Sequence, residues 1–179
     1  MSMHIALLRG INVGGHNMVA MSDLRELLGD LGFDGATSLL QSGNLVFKSP
    51  RLTGDSLERL LEKETAQRLN VSADYLVRTA DELKKVIDRN PFPKHAKDDP
   101  SHLLVMFLKT SPPADKLEAL QASIKGPEIV RSDKKQLYLV YPAGIGKSKL
   151  TGTLIERRLD ARGTARNWNT VLKLAALCQ

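Results

Sequence analysis

The sequence predicts an α+β fold of two βαββαβ-type units, each a mainly antiparallel sheet with helices on one face. Three observations carry this. Short apolar runs alternate with amphipathic stretches in nearly the same order twice, polar turns join neighbouring runs, and Asn90-Pro91-Phe92-Pro93 interrupts the middle of the chain. The predicted strands are too short and too irregularly linked for a doubly wound parallel sheet. A length of 179 residues suits one ordinary domain or two small ones, and 42% hydrophobic with 26% charged residues fits a globular protein.

The first unit opens with an apolar run at residues 4–8, which suits a strand. After a loop, Ser22 is placed to cap a helix in which Leu24, Leu27, Leu28 and Leu31 recur at helical spacing until Gly32. Residues 37–40 and 45–47 flank Gln41-Ser42-Gly43-Asn44, whose glycine and asparagine tolerate the positive φ of a hairpin. Leu57, Leu60, Leu61 and Leu69 mark an amphipathic helix over about 55–69, and residues 75–77 read as another strand. A linker helix at about 80–87 stops before the prolines. The expected boundaries are 1–79 for the first unit, 80–101 for a linker helix and loop, and 102–179 for the second unit with an extra C-terminal helix.

In the second unit, residues 103–108 form an apolar strand, and Pro112 or Pro113 opens a helix carrying Leu117, Leu120 and Ile124 that Gly126-Pro127 ends. Residues 128–130 and 137–141 flank a polar turn at 132–136. Helices at about 148–159 and 167–177 follow, so this half reads βαββα plus one helix. Two ferredoxin-like units account for the pattern; one mixed sheet shared by both halves is the alternative.

Charge is unevenly placed. The net +6 comes almost entirely from the stretch after residue 143, where seven Lys and Arg stand against two Asp and Glu, leaving +5. Such a concentration suits an anionic partner, either a phosphorylated small molecule or nucleic acid, although a solvated face that aids solubility has the same composition. The N-terminal residues carry no basic n-region, no apolar run approaches a membrane span, and the one cysteine, Cys178, agrees with a reducing compartment. A cytoplasmic location without membrane association is therefore expected.

Two regions carry candidate site residues. In the first, residues 9–21 make an unusually long connection containing Gly10, Gly14 and Gly15, with Arg9 and Asn12 as donors, the backbone chemistry of an anion nest. The same glycines also suit a loop that folds back over the sheet. The βαββαβ topology brings this loop to the hairpin end, so Arg9, Asn12, Gly14, Gly15, Gln41, Ser42 and Asn44 are expected to form a polar cup. In the second, Gly144-Ile145-Gly146-Lys147-Ser148 resembles the end of a P-loop, but Tyr141 stands where the first glycine is required, so it is not a Walker A motif. A helix start remains, flanked by Lys147, Ser148 and Lys149, with Ser148 as the expected cap. On that helix Arg158 falls within the apolar arc of Leu150, Leu154, Ile155 and Leu159, which calls for a buried ion pair or a snorkelling head group, while Glu156 and Arg157 lie off the arc. Asn167 is placed to cap the last helix, with Arg162 and Arg166 nearby for a phosphate and Trp168 as a core anchor.

The histidines His4, His16, His95 and His102 lack metal-ligand spacing, so neither metal nor cofactor is expected. Eight aromatics in all are too few to suggest a base-stacking platform.

The stretches LLRGINVGGHNMVAMSDLR, QSGNLVF and GIGKSKLTGTLIERRL with TARNWNTVLKLAAL resemble the signature of the bacterial domain-of-unknown-function family 1697. The resemblance implies two ferredoxin-like halves and carries no established activity. Arg9, Asn12, Gly14, Gly15, Ser42, Asn44, Ser148, Lys149, Glu156, Arg157, Arg166 and Asn167 match its polar positions, while His16 stands where that family often has a basic residue. Three functions stay open: binding of a phosphate-bearing ligand or nucleic acid through Lys147, Lys149, Arg157, Arg162 and Arg166; catalysis on a small phosphorylated substrate at the glycine-rich loop; or a non-catalytic assembly role. No residue is assigned a catalytic step.

Overall fold

The computed structural model describes residues 1–179. The chain forms two compact units, Met1–Lys85 together with Leu174–Gln179, and Val86–Lys173.

In the first unit the elements are β1 (Ser2–Arg9), α1 (Met21–Asp30), β2 (Asp34–Ser38), β3 (Asn44–Ser49), α2 (Gly54–Leu69) and β4 (Asp74–Thr79), followed by α3 (Ala80–Asp88), which runs on into the second unit. The sheet order is β2-β3-β1-β4 with every neighbour antiparallel, the ferredoxin-like arrangement. Side chains alternate across the sheet. Ala6, Leu8, Leu45, Phe47, Tyr75 and Val77 join Leu24 and Leu28 of α1 and Leu57 and Leu61 of α2 in one core. Ile5, Leu7, Val46 and Leu76 on the opposite face are also buried, which is why these strands read as continuous apolar runs.

The edge strand β4 is not left with open donors. From α2, Glu58 Oε1 accepts the Val77 N–H at 2.8 Å and Glu62 Oε1 accepts the Tyr75 N–H at 2.9 Å. These carboxylates satisfy amides that an edge strand would otherwise present to another chain. Thr65 Oγ1 and the Tyr75 hydroxyl share a buried hydrogen bond of 2.8 Å beside them.

The second unit holds α4 (Pro93–Asp98), β5 (Leu103–Leu108), α5 (Ala114–Ser123), β6 (Ile129–Asp133), β7 (Gln136–Val140), α6 (Gly152–Leu159), β8 (Gly163–Asn167) and the start of α7 (Trp168–Leu177). Its sheet order, β6-β7-β5-β8, repeats the first. β8 corrects the sequence reading, which has no strand between its last two helices. Gly163-Thr164-Ala165-Arg166-Asn167 lacks apolar alternation, yet it pairs with β5 from Leu104↔Asn167 to Leu108↔Gly163. Here too a helix carboxylate serves the edge strand, since Gly163 N–H donates to Glu156 Oε1 at 3.1 Å. The second half is therefore a complete βαββαβ unit followed by a helix, like the first.

Two further corrections concern α6. It starts at Gly152, and Thr151 caps it through its hydroxyl, which accepts the Leu154 N–H at 3.2 Å. Ser148 lies outside the helix. Arg158 is exposed and does not sit within the buried arc of Ile155 and Leu159, so it needs no buried partner. No helix is long and apolar enough to cross a membrane.

Candidate anion-binding cleft

In the first unit the glycine-rich loop does meet the hairpin, but its polar groups hold the loop itself together. Asn12 Nδ2 donates to the carbonyls of Val19 (3.1 Å) and Gln41 (2.9 Å), and its Oδ1 accepts the Val19 N–H at 2.9 Å. Asn17 Nδ2 donates to the carbonyls of Gly10 and Ser72, both at 3.0 Å. Gly14 and Gly15, with φ of 58° and 77°, occupy the two central positions of a tight turn closed by His16 N–H to Val13 O at 3.0 Å. Both central residues need positive φ there, so turn geometry accounts for the pair. Asn44 is wholly buried and donates to Leu39 O (2.7 Å) and Ser42 Oγ (3.1 Å). Arg9 pairs with Asp74 at 2.9 Å. The expected cup is thus built from groups already spent on structure.

The second unit presents a different arrangement. A cleft of about 400 Å³ opens between the end of α5 with the loop that follows it and the loop that leads into α6. Its aliphatic wall is Ile124, Pro127, Leu150 and Leu154. Lys125, Lys147 and Lys149 also line it, with Glu128 the one acidic residue in the lining. All three lysines are exposed, and no ion pair or side-chain hydrogen bond engages any of them.

Topology explains why these residues meet. β5 and β7 are antiparallel, and α5 runs back along β5, so the loop after α5 and the loop after β7 lie at the same sheet end. Loop length does the rest. Eleven residues, 141–151, separate β7 from α6, whereas four, 50–53, separate the corresponding β3 and α2. Connections in compact domains have a median of roughly 4–6 residues, so the excess in the second unit needs a reason that the shared fold does not supply.

The long loop is pinned at both ends. The Tyr141 hydroxyl donates to Leu150 O at 2.8 Å, and Tyr141 N–H donates to His102 O at 2.9 Å. Ser148 Oγ donates to Glu128 Oε1 at 2.6 Å and accepts the Leu150 N–H at 3.0 Å. Hydrogen bonds from the Ser148 hydroxyl and from its own backbone N–H hold the Glu128 carboxyl below the usual carboxylate range, against a smaller opposing effect of burial. Glu128 therefore stays ionised and accepts hydrogen bonds, while the lysines project unpaired.

The remaining expected site residues fall elsewhere. Arg157 is exposed on α6, one turn beyond Leu154 on the same helix side. Arg162 is exposed, and its carbonyl accepts the Lys109 N–H at 2.9 Å. Arg166 lies within β8 and is buried, with Nη1 donating to Thr164 Oγ1 (2.6 Å) and Ala165 O (2.9 Å). Burial pushes its guanidinium down to about 10. Asn167 Oδ1 accepts the Thr170 N–H at 2.9 Å, capping α7. Of the expected cations, Lys147 and Lys149 share the cleft. Lys125, missing from the sequence-based set, completes it; the shared sheet end of the two loops was the signal for it. No three His, Cys, Asp or Glu side chains converge to hold a metal ion.

Over residues 1–138 the chain matches the family described as protein of unknown function, DUF1697. The chain belongs to that family. The fold is similar to that of the conserved bacterial protein SP0830 from Streptococcus pneumoniae, with a TM-score of 0.78 and 23% identity over 99% of each chain. At that identity the likeness concerns the fold. No curated protein matches the chain. Lys147 and Lys149 lie beyond the stretch matched to DUF1697.

Proposed function

We propose that this DUF1697 protein binds a compact phosphate-bearing ligand in the cleft of its second unit. One observation carries the reading: three lysines without partners line one concave site whose one carboxylate accepts a hydrogen bond from Ser148. Ammonium groups held around a partly apolar cleft favour an anion that brings its own acceptors, and about 400 Å³ lies within the roughly 300–1,000 Å³ of small-ligand pockets.

A compact ligand is better supported than nucleic acid. A polyanion is held by a continuous run of exposed cations. Arg166 is buried in its sheet, which interrupts such a run. Catalysis at the glycine-rich loop has less support, because Asn12, Asn17 and Asn44 spend their amides on backbone carbonyls.

Isothermal titration of the full chain with inorganic phosphate, pyrophosphate and glucose 6-phosphate tests the proposal, alongside the double variant Lys147→Glu, Lys149→Glu. At least one probe binds, and charge reversal weakens it by roughly tenfold or more, as loss of charge-assisted hydrogen bonds implies. Absence of binding to all three, or equal binding by the variant with unchanged circular dichroism, contradicts it.

A further inference from the structure

Anion binding accounts for the lysines but leaves two features of the cleft unused. One is the aliphatic wall of Ile124, Pro127, Leu150 and Leu154. The other is Glu128, a carboxylate that stands among cations and repels the group they attract.

Two observations place the Glu128 carboxylate. Ser148 Oγ donates to its Oε1 at 2.6 Å. The carboxylate also lies over Gly126, where an added Cβ would lie 2.3 Å from Oε2. A side chain at 126 would push the group away. An ionised carboxylate has about four acceptor positions, so the bond from Ser148 leaves further acceptor capacity on a residue that lines the cleft. Such a group asks its ligand for an N–H or O–H donor.

We infer that the ligand is a nucleoside monophosphate, its phosphate on Lys125, Lys147 and Lys149, its base against the aliphatic wall, and an N–H on the edge of that base donating to Glu128. This rests on the anion-binding reading above and extends it. Inorganic phosphate leaves the wall without a partner, and a sugar phosphate sets hydroxyls against Leu150 and Leu154, where they lose hydrogen bonds to water. A planar base has an apolar face for that wall and polar edges for Glu128. The volume of about 400 Å³ suits one base, one sugar and one phosphate better than a dinucleotide.

Titrating the full chain with adenosine, guanosine, cytidine and uridine monophosphates, ribose 5-phosphate and inorganic phosphate tests this. At least one nucleotide binds roughly tenfold or more tightly than ribose 5-phosphate, the ratio expected when one good hydrogen bond to a charged group and an apolar face are added. Glu128→Gln and Gly126→Ala each reduce that preference while ribose 5-phosphate affinity holds or rises. Gly126→Ala retains the carboxylate and only displaces it, so a matching effect reports position and not folding. Equal affinity for nucleotides and ribose 5-phosphate, or a preference untouched by both substitutions, overturns the nucleotide assignment and leaves anion binding standing. Binding of none of the probes overturns both.

Discussion

Ser148 Oγ donates to Glu128 Oε1 across 2.6 Å, joining the loop that precedes α6 to the loop that follows α5. The bonded residues are twenty apart in sequence, and the bond ties the segment carrying Lys147 and Lys149 to the loop carrying Lys125. Ser148→Ala removes the donor. The Glu128 carboxyl, now below its ordinary value, rises toward it in the variant. For a carboxylate with a depressed folded pKa, the stabilisation is present above the unfolded value and fades as pH falls through the folded one. The wild-type protein thus loses this contribution only on the acid side of the ordinary glutamate range, and the variant lacks it throughout. Carbon-detected NMR titration of Glu128 reads the shift directly; identical titration curves count against the coupling.

Gly43 is where the hairpin and the glycine-rich loop touch. Its φ is +87°, and a Cβ there would lie 2.8 Å from both Leu8 Cβ and Ile11 Cδ1. Gly43→Ala combines left-handed backbone strain with overpacking and costs about 2–4 kcal/mol in denaturant unfolding. A loss below about 0.5 kcal/mol, the usual size for an unconstrained surface site, contradicts this packing.

Glu58 is 5% exposed and both accepts the Val77 N–H and faces the buried Arg78 guanidinium. Burial lowers the Arg78 pKa, and Glu58, Glu82 and Asp55 oppose that shift in decreasing order. Glu58→Leu removes the largest of three carboxylate contributions to a buried cation and opens an edge amide, which costs about 2–3 kcal/mol. Urea unfolding measures it, and a neutral result contradicts the assigned role of this carboxylate.

All three tyrosines are internal. Tyr75, Tyr138 and Tyr141 are each pushed up to about 12, in every case chiefly by desolvation. A raised folded pKa gives stability that is complete below the unfolded value near 10 and is lost as pH climbs toward 12. Ultraviolet titration of the folded protein therefore finds no phenol ionising near pH 10, and tyrosinate appears together with unfolding. A phenol that titrates at its ordinary value before circular dichroism changes contradicts this burial.

Most of the fold was legible because its strands are apolar and its turns carry glycine and asparagine. β8 was not, for a physical reason. Gly163-Thr164-Ala165-Arg166-Asn167 has no strand-like alternation, and pairing with β5 together with Glu156 on its edge makes it a strand. The error passed into the site: with 163–167 read as loop, Arg166 looked like an accessible phosphate ligand, whereas it is buried in the sheet. Starting α6 at residue 148 and not at Gly152 likewise made Ser148 a helix cap, and counting Leu150 and the half-buried Leu154 in the buried arc turned Arg158 inward. Lys147 and Lys149 were legible from local charge. Lys125 was not, because only the fold brings residues 124–128 beside 147–150.

The central claim is that the free lysines of the second unit form one anion site. Amide NMR of the nitrogen-15-labelled full chain, titrated with inorganic pyrophosphate, tests it most directly. Saturable shifts are expected at residues 124–128 and 147–150 and at Leu154, with little change at residues 10–20 and 40–44. Shifts confined to the glycine-rich loop and its hairpin, or no saturable shift anywhere, contradict it.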